Sequence, residues 1–226
     1  MEVNGYTIAR STNLTGANLR GAHLVKTDLV KTDLIDANLT GAFLSGADLA
    51  GANLMNANLE SANLTGAFLS GADLAGANLT NANLESADLT GADLQNAKAT
   101  GANLQNTKVT GANLRGARLE SADLTRAVLA NADVTSANLQ NAKVTHADLA
   151  HADLTLADLT GANLYGAHLV KANLTQANLE SADLRGAYLR GANLTNVNLG
   201  SAKMFRANLL GAILTGAIMP DGSIHD

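Results

Sequence analysis

The sequence predicts an all-β solenoid, a quadrilateral β-helix of parallel strands with about ten coils of 20 residues, and three observations carry that prediction. From Leu14 to Leu214 every residue whose number ends in 4 or 9 is Leu, except Ala99, Val109, Val134, Val144 and Met204, so one period of five runs without insertion. Two positions earlier, at numbers ending in 2 or 7, stands Ala, apart from Thr12, Thr27, Thr32, Thr107 and Val197. Finally, residues 41–65 are repeated as 66–90 with only Met55 becoming Thr80 and Asn63 becoming Asp88.

Neither a helix nor a long flat strand accounts for this period. A helix needs apolar residues 3.6 apart and a flat strand needs sustained alternation, whereas here inward positions alternate gaps of 2 and 3. A short extended step followed by a corner satisfies both gaps. Ala and Leu of the step point inward and the Asn or Asp between them points outward. Gly, Asn and Ser after the step suit the corner, because they tolerate positive φ or bond the local backbone. Four such sides closing a square give a coil of 20 residues. Coils stacked about 4.8 Å apart make a rod on the order of 50 Å long. The spacing alone leaves the hand of the helix open. A shift of 25 is one coil plus one side, so the copied segment meets the same demands a quarter turn further on.

Three segments follow in order. Residues 1–11 precede the period, and Val3, Tyr6 and Ile8 are suited to cover the first layer as an amino-terminal cap. Residues 12–219 form the repeat, with a solid Leu axis that leaves no pocket. Within it the layer of Leu94, Ala99, Leu104 and Val109 has lost bulk, which predicts a weak point near residues 97–110. The tail, 220–226, begins with Pro220 followed by Asp221-Gly222, which stops the ladder.

Composition excludes several classes of function. With no Cys there is neither a disulfide framework nor a thiolate metal site. The start, MEVNGYTIAR, has no basic and apolar leader pattern, and no long apolar run occurs, so the expected location is the cytoplasm, with no membrane partner. Twenty acidic and 15 basic residues are mixed along the chain, for a net charge of -5, which argues against binding DNA. No phosphate loop, nucleophile elbow or acid–base pair appears, so no catalytic residue, cofactor or metal ligand is assigned. His146 and His151 are five apart and fall on successive corners, while His23, His168 and His225 have no clustered partner in the sequence. Residues 20 apart should stack, giving an Asn column at 18, 38, 58 and 78 and like-charged pairs at Asp73/Asp93 and Asp133/Asp153. Four Lys occupy the outward slot, at 98, 108, 143 and 203, each before a centre that is not Leu; duplication alone accounts for the resemblance of the segments around Lys108 and Lys143.

The unit Ala-(Asn/Asp)-Leu-x-x over residues 12 to 219 resembles the pentapeptide-repeat proteins, and the tail GAIMPDGSIHD resembles those of cyanobacterial members. The resemblance implies a right-handed quadrilateral β-helix. It also frames the function. The favoured reading is a non-enzymatic rigid scaffold or protein-interaction module with an unknown protein partner, regulatory in a cyanobacterium. The outward departures from the consensus would carry recognition: Phe43, Phe68, Arg115, Arg118, Tyr165, Arg185, Tyr188 and Arg190. Near the end Phe205, Leu210, Ile213 and Ile218 make the outward slots apolar. They either cap a monomer under the tail or join a tail-to-tail homodimer. The alternative implied by the family is a DNA mimic that binds or protects a type II topoisomerase such as gyrase. A mimic about 50 Å long would want on the order of 30 negative charges, whereas the net charge here is only -5.

Overall fold

Each coil in the computed structural model, which describes residues 1–226, closes after 20 residues. Parallel bridges join residue i to residue i+20 from Asn13↔Asp33 through to Asn198↔Ile218, with no break in register. Leu and Ala fill the axis: Leu19 to Leu89 are sealed from solvent, and the core is one continuous column of the inward positions.

The five backbone N–H groups of a repeat are all accounted for, and the accounting explains the sequence. In the first repeats Ala17 N–H donates to the Leu14 carbonyl at 2.9 Å, closing a β-turn around the corner. Asp33 N–H donates to Thr12 of the preceding coil at 2.9 Å, while Leu14 and Gly16 donate to Asp33 and Ile35 of the following one at 2.7 and 2.8 Å. The remaining donor, Thr15 N–H, is taken by the Asn13 side-chain oxygen at 2.9 Å. Asp48, Asn53, Asn58, Asn63, Asp73 and Asn78 bond the second residue onward in the same way. The outward Asn/Asp slot is therefore an Asx turn repeated along the rod. The expected amide ladder occurs at single steps, such as Asn78 to Asn58 and Asn103 to Asn83, both 3.1 Å.

The third residue of every turn must adopt positive φ. Every residue whose number ends in 1 or 6, from Ser11 to Gly216, does so, including Lys31, Arg126 and Leu156, which pay a conformational cost that Gly does not. Gly has a further use where a side chain of the coil below lies over it. A Cβ on Gly76 would sit 2.5 Å from Asn56 Oδ1, and one on Gly166 would sit 2.5 Å from His146 Nδ1.

The Leu axis is not solid throughout. Where Ala99 and Val109 replace Leu, a small apolar cavity of about 10 Å³ opens among Leu94, Ala99, Leu104, Val109 and Leu119. It has room for at most one water and no polar group to bind it. Thr107, in an inward Ala slot beside this layer, satisfies its hydroxyl on the Leu104 carbonyl at 2.7 Å.

Three of the four outward Lys residues, all but Lys98, also gain a physical account. Lys108 stands one coil above Asp88 and Lys143 above Asp123, with N···O distances of 3.7 and 3.5 Å. Lys203 stands above Asp183 in the same way. Duplication is not the only reason for them.

The two ends differ. At the start, β1 (Glu2–Val3) and β2 (Tyr6–Thr7) form an antiparallel hairpin whose Val3 and Tyr6 pack on the core, with Ile8 buried behind them. At the other end the tail turns back along one side only: Gly216 N–H donates to His225, Met219 N–H to Ser223, and Ile224 pairs antiparallel with Ile218. The other three sides of the last coil have no coil beyond them. Met204, Leu209 and Leu214 are only half-buried, and their N–H groups find no backbone acceptor.

Candidate interaction face

The 20-residue register decides which outward residues meet. Tyr165, Arg185 and Phe205 follow one another up one column, and His146, Gly166, Gly186 and Arg206 up the next. His168 and Tyr188 stack on the wall beside them, and Val170, Arg190 and Leu210 line the following corner with Lys171, Gly191 and Gly211. Four of the sequence-derived candidates, Tyr165, Arg185, Tyr188 and Arg190, thus fall on one face of the terminal coils, joined by Phe205 and Leu210.

The side chains on this face are held by one another. His168 and Tyr188 meet edge to face with ring centres 4.8 Å apart, and His146 meets Tyr165 at 5.5 Å. The Arg185 guanidinium lies 5.9 Å from the Tyr165 ring centre and forks onto Asp183, with Nε–Oδ1 at 2.8 Å and Nη2–Oδ2 at 2.6 Å. That fork is the main reason the Asp183 carboxyl titrates below its ordinary 3.8, and the same bonds raise the Arg185 value. Arg206 lies 5.2 Å over the Phe205 ring. Lys171, Arg190 and Arg206 have no carboxylate within ion-pair distance.

Two shallow grooves flank the His168–Tyr188 ridge. One, about 360 Å³, runs over Gly186 between His146 and Arg206; the other, about 480 Å³, runs past Gly191 and Gly211 and is lined by Lys171 and Arg190. The absent side chains at these glycines create the depth.

Other candidates stand apart. Phe43, stacked on His23 at 4.7 Å, and Phe68 lie on different walls among the lower coils. Arg118 is engaged by Glu120 at 3.3 Å, and it and Arg115 belong to coils below this face. Ile213 and Ile218 point outward from the final coil, where Ile218 is taken up by the tail.

The sequence reading treated His23 and His168 as isolated, and the structure corrects both: each has an aromatic ring 20 residues later. His146, Lys171 and Arg206 were missed for the same reason. Adding 19, 20 or 40 to 146 and 171, or subtracting 20 or 40 from 206, brings each to its neighbours on this face. His146 and His151 do occupy successive positive-φ corners, and His146 turns toward Tyr165. No group of three or more His, Asp or Glu converges as a metal site, and no helix is long and apolar enough to cross a membrane.

Comparison with known proteins bears on this architecture. The family model described as pentapeptide repeats matches residues 12 to 180 in overlapping segments and again residues 182–219. No curated protein matches the chain. Among solved structures, HetL, a pentapeptide repeat protein involved in heterocyst differentiation regulation from the cyanobacterium Nostoc, superposes with a TM-score of 0.87 at 35% identity, over 96% of this chain and 92% of that one. A pentapeptide repeat protein from the thylakoid lumen of Arabidopsis thaliana is 31% identical over 54% of this chain and 72% of its own, with a TM-score of 0.39. QnrB1, a plasmid-mediated fluoroquinolone resistance protein, matches at 23% identity over 80% of this chain and 90% of its own, with a TM-score of 0.41.

Proposed function

We propose that this chain, which belongs to the pentapeptide-repeat family and has its right-handed quadrilateral β-helix, is a non-enzymatic scaffold that recruits a protein partner through the outward face of residues 163–211. The observation that carries this reading is what the face gives up. Asn or Asp in the outward slot satisfies a backbone N–H, and His168 and Tyr188, stacked on one wall, both forgo that bond. A local rule broken on two successive coils of one wall, with aromatic and cationic groups gathered there, is the pattern expected of a site retained for recognition.

The proposed setting is the cytoplasm of a cyanobacterium and the proposed role is regulatory. Its support is the likeness to HetL, whose stated involvement is in heterocyst differentiation regulation. Affinity capture from cyanobacterial cytosol tests the reading, using the intact chain and a control carrying Tyr165→Thr, His168→Asn, Tyr188→Asn and Arg190→Thr. A protein held by the first and lost by the second supports it. Equal retention by both removes this face from the account.

The open last coil supports a second, compatible proposal, a tail-to-tail homodimer. Light scattering on a Phe205→Asp, Ile213→Asp variant checks it: a monomer for wild type at tens of micromolar removes it. The topoisomerase reading has one supporting feature, since residues 32–97 hold eight acids and no Lys or Arg. Over a stretch of about 16 Å this approaches the charge density of duplex DNA. The basic face further along opposes it, and an unaffected gyrase supercoiling assay would retire it.

A further inference from the structure

The charges on the candidate face are distributed unlike those on the rest of the rod. The coils of residues 163–211 contain five Lys and Arg against two acids, leaving ten basic and 18 acidic residues elsewhere, and four of the five cations, all but Lys203, stand on this face. One of the two acids, Asp183, is already engaged by Arg185. Lys171, Arg190 and Arg206 are exposed and free of carboxylates, and they border the two glycine-floored grooves on either side of Tyr188, which is 48% exposed.

From this arrangement we infer that the grooves and the ridge between them form one docking surface for an acidic polypeptide segment bearing an aromatic or aliphatic anchor. The inference rests on the reading of the chain as an interaction module and adds the chemical class of the partner. The anchor side chain enters the groove over Gly186, where Tyr165 and Tyr188 offer ring faces and edges and nothing occupies the space a Cβ would fill. Carboxylates of the segment reach Arg206 at one end and Lys171 and Arg190 across the ridge. Three coils span roughly 10 Å along the rod, which matches three to four residues of extended chain.

Charge also selects this occupant over a nucleic acid. A phosphate backbone long enough to bind several sites would continue down the rod, past Asp148 beneath His168, toward Asp88 and Glu85 among the coils that hold acids and no Lys or Arg, where it would be repelled. A short acidic peptide ends before it meets them. The five ring systems on the face add specificity for an anchor that charge alone would not give.

Fluorescence polarisation on the full chain tests the inference with a labelled peptide of sequence Glu-Glu-Tyr-Glu-Glu-Leu-Glu-Glu, its all-Gln counterpart and a single-stranded oligothymidylate. The acidic peptide should bind in preference to both others and weaken as salt rises from about 50 to about 500 mM. Lys171→Glu with Arg190→Glu should reduce its affinity by roughly tenfold or more. The same charge change at Lys26 and Arg115, on other coils, should leave it within about twofold, and matching melting temperatures keep the comparison free of folding effects. Equal binding of the Gln peptide, tighter binding of the oligonucleotide or no binding at all overturns the inference. So does concentration-dependent self-association abolished by the Lys171, Arg190 variant, which would assign the face to a second copy. The capture experiment above remains separate: a partner lost with the face variant but without acidic segments preserves the scaffold reading and removes only the acidic class.

Discussion

The duplicated coils at 41–90 and the terminal coils at 163–211 share one backbone and one interior, yet differ in nearly everything they present to solvent. Leu44 and Leu164 are equally sealed, and Gly51 and Lys171 bend through the same positive-φ corner. Outward, the first region fills eight of its ten Asn/Asp slots with Asn or Asp and carries no Lys or Arg, while the second gathers three of the six aromatic residues of the chain and five cations. The interior obeys position within the five, and the exterior varies more freely because an outward side chain contributes at most one backbone bond to the coil. Outward departures from the repeat therefore carry information, whereas conformity carries almost none.

The contrast can be broken or sharpened by substitution. The largest effect is expected inside the uniform region, where Leu64→Ala should cost about 2–5 kcal/mol by urea unfolding, and Leu209→Ala in the half-open last coil should cost less than half as much. Equal costs would mean that the final coil is covered in solution. Filling the cavity comes next: Ala99→Val should raise stability by about 0.5–1.5 kcal/mol, because the void is small and Val already occupies the same slot at 109, 134 and 144. Amide exchange in wild type should be faster at 97–110 than at 41–90. On the terminal face, Tyr188→Asn should restore the Asx turn and stabilise by about 0.5–1.5 kcal/mol while abolishing partner capture. A destabilised variant would refute the claim that recognition is maintained there against the fold.

The smallest effect is electrostatic. In Asp88 the Thr90 hydroxyl leads the groups that hold the carboxyl below 3.8, and in Asp183 Arg185 does. In Asp123 burial pulls upward but is outweighed by Thr125, Gln105 and Lys143. Depressed carboxylates stabilise the fold fully above the unfolded value and lose that contribution as pH falls through the folded one. Melting temperature should therefore be level from neutrality to about pH 5 and decline below pH 3.8, with Asp123→Asn flattening the decline slightly.

The path of the chain was legible because a period of five admits few structures, and because one residue type, Leu, marks it at nearly every step. The reason for Asn and Asp in the outward slot was less visible. Reading the amides as a ladder up the wall drew attention to residues 20 apart, while the bond that recurs runs two residues along the same strand, as in Asn13 to Thr15. The cluster at His146, Lys171 and Arg206 was hidden for a different reason. These residues sit in corner positions, where the repeat tolerates many types, and only the closure at 20 places His146 beside Tyr165, Lys171 beside Arg190 and Arg206 above Gly186. Which tail contacts form was also out of reach, since Ile224 pairs with Ile218 through an antiparallel turn that the period does not encode.

The central claim, that recognition belongs to the terminal face rather than to outward aromatics in general, can be tested within one column of the rod. Phe68 and Tyr188 lie on the same wall, joined by successive bridges through Asp88, Lys108, Val128, Asp148 and His168. Both are about half exposed. A photo-cross-linking residue placed at Tyr188 should trap the captured partner in cyanobacterial cytosol, and the same residue placed at Phe68 should trap nothing specific. Trapping at Phe68 with none at Tyr188 would contradict the account and move the functional surface to the duplicated coils.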